Sequence, residues 1–131
     1  ILTNLDNFKR INDKYGYLIG DEYLVHLAKL IKGLCIKGEI IGRISGEEFV
    51  ITLPEYTKME AEKFARKLNY NIEKTPFINS DNQAIFNTIS MGVVVHNSCD
   101  TIGELVSIAD TALFQAKTMG AGSIDIVEQQ A

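Results

Sequence analysis

Apolar residues along this chain switch repeatedly between two spacings, and the switching predicts alternating strands and helices. Residues 2–5 read as a short strand, followed by a polar turn at Asp6-Asn7 and a short helix over 8–14. Gly16 and Gly20 punctuate a loop, after which Asp21 opens a helix carrying Leu24, Leu27, Ala28, Ile31 and Leu34 on one face. Residues 39–44 (EIIGRI) and 49–53 (FVITL) are strands rich in isoleucine and valine, joined by a tight connection, and Pro54 stops the second. Thr57 and Glu60 have capping-box spacing, and the helix they begin points Ala61, Phe64, Ala65, Leu68 and Ile72 inward until Pro76. Further strands are predicted at 77–78 and 85–96, around a polar loop at 79–83. Thr101 and Glu104 repeat the capping spacing before a helix with Leu105, Ile108, Ala109, Ala112, Leu113 and Ala116 inward. Gly120 and Gly122 close it ahead of a last strand at 123–127. The order β-α-α-β-β-α-β-β-α-β, without repeat or linker, predicts an α+β ferredoxin-like sandwich with a mostly antiparallel sheet and a central hairpin.

Composition narrows the class without changing the fold. At 131 residues, 46% hydrophobic and 23% charged, the chain reads as one ordinary globular domain over 1–131. No apolar stretch approaches the ~20 residues that a membrane span needs. The first residues have neither a methionine nor a basic region, so they read as the inside of a longer protein and not as a signal peptide. Cys35 and Cys99 show no metal-ligand spacing and are expected to be buried free thiols in a reducing, cytoplasmic setting. A net charge of −4 argues against a nucleic-acid binder. His26 and His96 lack a second ligand at metal spacing, and the Lys29/Lys32 and Lys63/Arg66/Lys67 groups read as polar helix faces. Asp110 is a solvated carboxylate, the partner of a basic neighbour, or a residue that orients the site.

The candidate chemistry centres on Ile44-Ser45-Gly46-Glu47-Glu48-Phe49, between the two hairpin strands. Gly46 would permit positive φ and a close approach to whatever lies above the turn. Two acids directly after it suit a divalent cation holding phosphate, since magnesium takes one or two carboxylates together with phosphate oxygens. A solvated hairpin tip would carry the same residues.

Four ordered segments carry a resemblance that covers residues 1 to about 127. They are Asn12-Asp13-Lys14-Tyr15-Gly16 with Gly20-Asp21, Arg43 to Phe49, Ser90-Met91-Gly92, and Ala109 through Lys117. The chain resembles GGDEF domains, the diguanylate cyclases that join two GTP molecules into cyclic di-GMP, with a degenerate SGEEF signature. The resemblance implies a palm like that of class III nucleotide cyclases, and a leading helical segment before Ile1.

Residue by residue, the resemblance implies that Asn12 and Asp21 read guanine. An amide donates and accepts, and a carboxylate accepts from the base, so the pair can separate guanine from adenine. As bare residues, Asn12 would be a turn residue and Asp21 an N-cap. The resemblance also implies a phosphate cradle from the backbone of Asn7, Phe8 and Lys9 at a helix start. It places Gly46 against the nucleotide, Lys117 on the terminal phosphates, and magnesium on Glu47 and the Leu5 carbonyl, with Glu47 and Glu48 serving catalysis. The family's first-strand aspartate falls on Asn4, a weak ligand at best. A missing charge at 4 Å is worth on the order of 4 kcal/mol at an effective dielectric of about 20. Asp6 shares a strand face with Asn4 but lies about 6.6 Å further along. The arginine expected four residues after Lys117 is Ala121, and alanine cannot grip phosphate. An Arg-x-x-Asp product-inhibition site is not expected, because its positions are Ile36 and Glu39.

Three functions follow as expectations. The first is a GTP-binding regulatory module with weak magnesium use and weak or no cyclase activity. The others are an active cyclase working as a homodimer, and a nucleotide-free dimerisation scaffold. GTP, a second copy and an attached sensor or phosphodiesterase-type domain are the implied partners.

Overall fold

β1 (Leu2–Leu5) takes the centre of a five-stranded sheet because its side chains are covered on both faces. The structure, a computed structural model, describes residues 1–96 and 101–129. After β1 come α1 (Phe8–Tyr15), α2 (Tyr17–Leu34), β2 (Ile40–Arg43), β3 (Glu48–Thr52) and α3 (Lys58–Lys74). The remainder is β4 (Phe77–Ile78), β5 (Ala84–Ile85), β6 (Ile89–His96), α4 (Ile102–Thr118) and β7 (Ile124–Gln129). The main sheet has the order β2-β3-β1-β6-β7, and β4 pairs with β5 in a separate ribbon. All pairs are antiparallel except β6–β7, which α4 connects as a crossover. The segment β2-β3-β1-β6 is the split βαβ arrangement of the ferredoxin-like class, so the expected fold class holds.

Alternation along β1 divides the molecule into two layers. Leu5 faces a large core with Ile51, Met91 and Val93 from the sheet, Leu27 and Ile31 from α2, and Ala65 and Leu68 from α3. Leu2 faces the other way, into a small cluster with Ala109 and Leu113 of α4. Burying each Leu or Ile of this kind stabilises the fold by about 1.5–3 kcal/mol. The α4 layer depends on Gly92: a Cβ there would overlap the α4 backbone at the Ala109 carbonyl and the Leu113 amide.

Several boundaries differ from expectation. Gly16 alone separates the first two helices, at φ 91, so α2 begins at Tyr17. Gly20 is therefore not a loop residue, and Asp21 is not an N-cap; both lie inside α2. Asn12 likewise sits within α1 and not in a turn. The predicted strand 85–96 divides into β5 and β6. Between them the buried Asn87 side chain donates to the Asp6 carbonyl (2.7 Å) and accepts from the Thr88 amide (2.9 Å), bonds that stand in place of the ladder. The Thr57–Glu60 capping box is complete, and the Thr101 hydroxyl accepts from the Glu104 amide at 3.2 Å. Cys35 is half-buried and free instead of fully buried, with its thiol pushed up by burial and by the neighbouring Glu39; Cys99 lies outside the described residues. His26 is structural, as expected: it donates to the Thr75 carbonyl at 3.1 Å and packs between the rings of Tyr23 and Phe77. Among the described residues, no helix is long and apolar enough to cross a membrane.

Candidate functional site

Asp6 follows β1 directly and is committed to the scaffold. It is 6% exposed, and its carboxylate accepts from the Thr88 hydroxyl (2.6 Å), the Ser90 hydroxyl (2.6 Å) and the Gly122 amide (2.8 Å). One carboxylate thus joins the end of β1 to the start of β6 and to the turn leading into β7. Three donors leave it little capacity for a metal, so the idea that Asp6 replaces a missing ligand fails on geometry. Ser90, one of the quoted segment residues, is accounted for by the same contact.

Asn4 lies two residues earlier, within β1, and is half-buried. It pairs in register with Glu48 of β3 on one side and Ser90 of β6 on the other. Its Oδ1 accepts from Lys117 Nζ at 2.5 Å, so residues at opposite ends of the sequence meet here. The Leu5 amide donates to the Glu47 carbonyl at 3.2 Å, which fastens the hairpin to β1. The turn is held from within. Arg43 donates through Nε to the Ser45 carbonyl (3.1 Å) and through a guanidinium NH₂ to the Gly46 carbonyl (2.8 Å). The Ser45 hydroxyl donates to Glu48 at 2.9 Å. Gly46 does not use the left-handed region expected of it; a Cβ there would meet open space, so a ligand can approach its backbone. The structure thus gathers Asn4, Leu5, Gly46, Glu47, Glu48 and Lys117 at one edge of β1. Among the described residues, no three His, Cys, Asp or Glu side chains cluster to hold a metal. Ala121 lies exposed between Gly120 and Gly122.

α1 and α2 form the neighbouring part. Asn7 caps α1 in the left-handed region (φ 50, ψ 38), which asparagine tolerates, and makes no side-chain cap bond. The amides of Phe8 and Lys9 are therefore first-turn donors of the kind that helices leave unpaired. Phe8 itself is buried and anchors the helix. Asn7, Lys9, Arg10, Asp13 and Lys14 line an open depression of about 670 Å³. The Asn12 Oδ1 is buried and has no hydrogen-bond partner among the described residues. It lies directly over Gly20, where a Cβ would overlap it. Gly20 thus makes room for the Asn12 amide beside Asp21, which is exposed on α2. A buried acceptor without a donor marks a place where a ligand or water completes the bonding.

Arg43, Gly20 and Gly92 were missed as contributors. Each had a visible signal inside a quoted segment, but their roles need the third dimension. At the expected position of product inhibition, Ile36 is 74% exposed and Glu39 is buried. Glu39 accepts from the Lys37 amide (2.5 Å) and the Tyr56 hydroxyl (2.9 Å). Burial works to raise the Glu39 carboxyl, but these hydrogen bonds outweigh it and hold the carboxyl below its ordinary range. Burial and the same carboxylate push the Tyr56 hydroxyl up to about 12.

With this geometry in view, the family described as "Diguanylate cyclase, GGDEF domain" matches residues 1–123. The chain belongs to the GGDEF family. It is 34% identical over 126 residues to diguanylate cyclase VdcA of Vibrio cholerae, covering 95% of this chain and 37% of that protein. It is 35% identical over 124 residues to diguanylate cyclase DgcM of Escherichia coli K12, covering 95% and 29%. The chain therefore spans roughly a third of these relatives. Among solved structures, it is similar to the active GGEEF domain of a diguanylate cyclase from Vibrio cholerae. The TM-score is 0.85 at 32% identity, over 98% of this chain and 81% of that one. The GGDEF domain of YfiN from Pseudomonas aeruginosa matches with a TM-score of 0.86 at 27% identity, over 98% and 80%.

Proposed function

We propose that this GGDEF domain binds GTP and regulates an attached domain, with turnover to cyclic di-GMP absent or at least ~100-fold reduced, a loss equal to about 2.7 kcal/mol. The observation carrying this reading is the donor set at the end of β1. Asn4 supplies a neutral amide, Asp6 is spent on three internal donors, and Ala121 offers no cation. Binding draws on a separate part: Asn12 over Gly20, the exposed Asp21, and the first-turn amides at Asn7, Phe8 and Lys9. None of these depends on Asn4 or Ala121. Cytoplasmic placement, a second copy and a covalently attached sensor or phosphodiesterase-type domain belong to the same proposal.

One observation favours an active enzyme instead: a similar solved domain is described as an active GGEEF domain, so the Glu47-Glu48 pair is no lesion in itself. Calorimetric titration with GTP and ATP, run beside a cyclic di-GMP assay, separates the readings. GTP should bind at roughly tens to hundreds of micromolar, ahead of ATP, with little product. Robust product at micromolar protein overturns the inactive reading. Equal binding of GTP and ATP, or none at millimolar nucleotide, removes the guanine assignment and leaves a scaffold.

A further inference from the structure

Tyr17 is 80% exposed, and a single exposed ring on a surface needs no explanation by itself. The other four tyrosines all have contacts. Tyr23 meets the Phe77 ring edge-on, the Tyr56 hydroxyl donates to Glu39, and the ammonium groups of Lys14 and Lys74 lie over the rings of Tyr15 and Tyr70. Tyr17 makes no ring contact or hydrogen bond among the described residues. Its position gives the exposure a use. A helix turns about 100° per residue, so Tyr17 falls between the directions of Gly20 and Asp21, one turn nearer the start of α2. The buried, unpaired Asn12 oxygen lies over Gly20, and Asp21 stands exposed beside it. We infer that the Tyr17 ring stacks on the face of the guanine base whose edge Asn12 and Asp21 read. This inference rests on the GTP-binding reading and adds a third residue to its base site.

The corner that carries Tyr17 is fixed by backbone bonds. Gly16 alone turns the chain from α1 into α2, at φ 91, a conformation that L side chains rarely adopt. Its amide donates to the Asn12 carbonyl at 2.8 Å, and its carbonyl accepts from the Gly20 amide at 3.0 Å. Asn12 and Gly20 are thus tied to each other through one residue, and Tyr17 follows that residue directly. Leu18 is nearly as exposed, at 73%, but its direction lies on the far side of Asp21 from Gly20. The chemistry divides accordingly. An amide and a carboxylate meet the polar edge of a purine, and its broad apolar face needs a ring. Base–aromatic stacking tolerates every base, since each has a π face. Tyr17 therefore adds affinity, while the preference for guanine stays with Asn12 and Asp21.

The test is calorimetric titration of GTP, in millimolar magnesium, into the wild type, Tyr17→Ala, Tyr17→Phe and Leu18→Ala, beside acrylamide quenching of Tyr17→Trp. Tyr17→Ala should weaken GTP by about ten-fold or more, the loss expected for one base–aromatic stack. Tyr17→Phe keeps the ring face, and Leu18→Ala leaves it untouched, so both should stay within about three-fold of the wild type. The chain has no tryptophan, so Tyr17→Trp introduces a single reporter, and GTP should shield it from acrylamide. Unchanged affinity in Tyr17→Ala, an equal loss in Tyr17→Phe or Leu18→Ala, or no shielding of the reporter at saturating GTP overturns the inference and leaves the GTP reading standing. Absence of GTP binding to the wild type overturns both.

Discussion

Asn4 lies in β1 and Asp6 directly after it, and the chain treats them in opposite ways. Asp6 is buried, accepts three hydrogen bonds and links the end of β1 to β6 and to the turn before β7. Asn4 is half-buried, bonds a single exposed lysine, and faces the hairpin that carries Glu47 and Glu48. A carboxylate stands where it satisfies buried donors, and an amide stands at the open, lysine-facing position. Charge at position 6 serves folding. Position 4 carries no charge, and the proposed function turns on that.

The largest test of this contrast is on stability. Asp6→Ala strands the donors of Thr88, Ser90 and Gly122 and should cost about 3–5 kcal/mol in urea unfolding. Asn4→Ala removes one bond from an exposed lysine and should cost less than about 1 kcal/mol. Equal losses at the two positions would break the contrast.

The next test is on activity. Asn4→Asp restores a carboxylate beside Glu48, and Ala121→Arg restores a second cation near the end of α4. Together they should raise cyclic di-GMP formation more than either alone, by up to about 100-fold, or about 2.7 kcal/mol. A double variant that makes no more product than the wild type would break the role proposed for these two positions.

Much of the scaffold was legible because each layer obeys one periodicity. The α3 stripe at Ala61, Ala65, Leu68 and Ile72 is buried as its spacing predicts, and β1 has the expected bounds. What failed did so at polar residues whose partners are distant in sequence. Asn87 divides a predicted strand by bonding to Asp6, 81 residues away. Asp6 does lie in the predicted turn, but its partners Thr88, Ser90 and Gly122 cannot be seen from position 6. Gly20 read as a loop signal, since a glycine is equally suited to a turn and to the close approach of an amide. The candidate site residues were read from ordered motif segments. The bond between Lys117 and Asn4 was not, because it joins the two ends of the sequence.

Gly20→Ala moves the comparison to the α1–α2 end. The new Cβ overlaps the Asn12 side-chain oxygen, and that flexible side chain should yield before α2 does. Alanine also favours helix over glycine by up to ~1 kcal/mol, so thermal stability should hold or rise. Guanine preference should nevertheless fall by about ten-fold, the loss expected for one hydrogen-bonding partner. A GTP-to-ATP affinity ratio that stays constant would sink the role given to Asn12, without touching the roles of Asn4 and Lys117.

The smallest expected effect lies at Glu39 and Tyr56, a carboxylate that, like Asp6, is held by internal donors. The Glu39 carboxyl is lowered on folding by the hydrogen bonds that outweigh its burial. Its contribution is therefore present above the unfolded value of about 4.3 and is lost as pH falls through the lower folded value. Tyr56 has the opposite sign. Its hydroxyl is raised to about 12, so its contribution is present below the unfolded value of about 10 and is lost as pH rises through the folded one. Tyr56→Phe removes the hydroxyl donor from Glu39 and should lower the melting temperature slightly at neutral pH. It should also flatten the loss of stability on acidification, because Glu39 then gains less from being ionised. An acid limb as steep in Tyr56→Phe as in the wild type would mean that the Lys37 amide alone holds Glu39, and that the hydroxyl adds nothing to the lock.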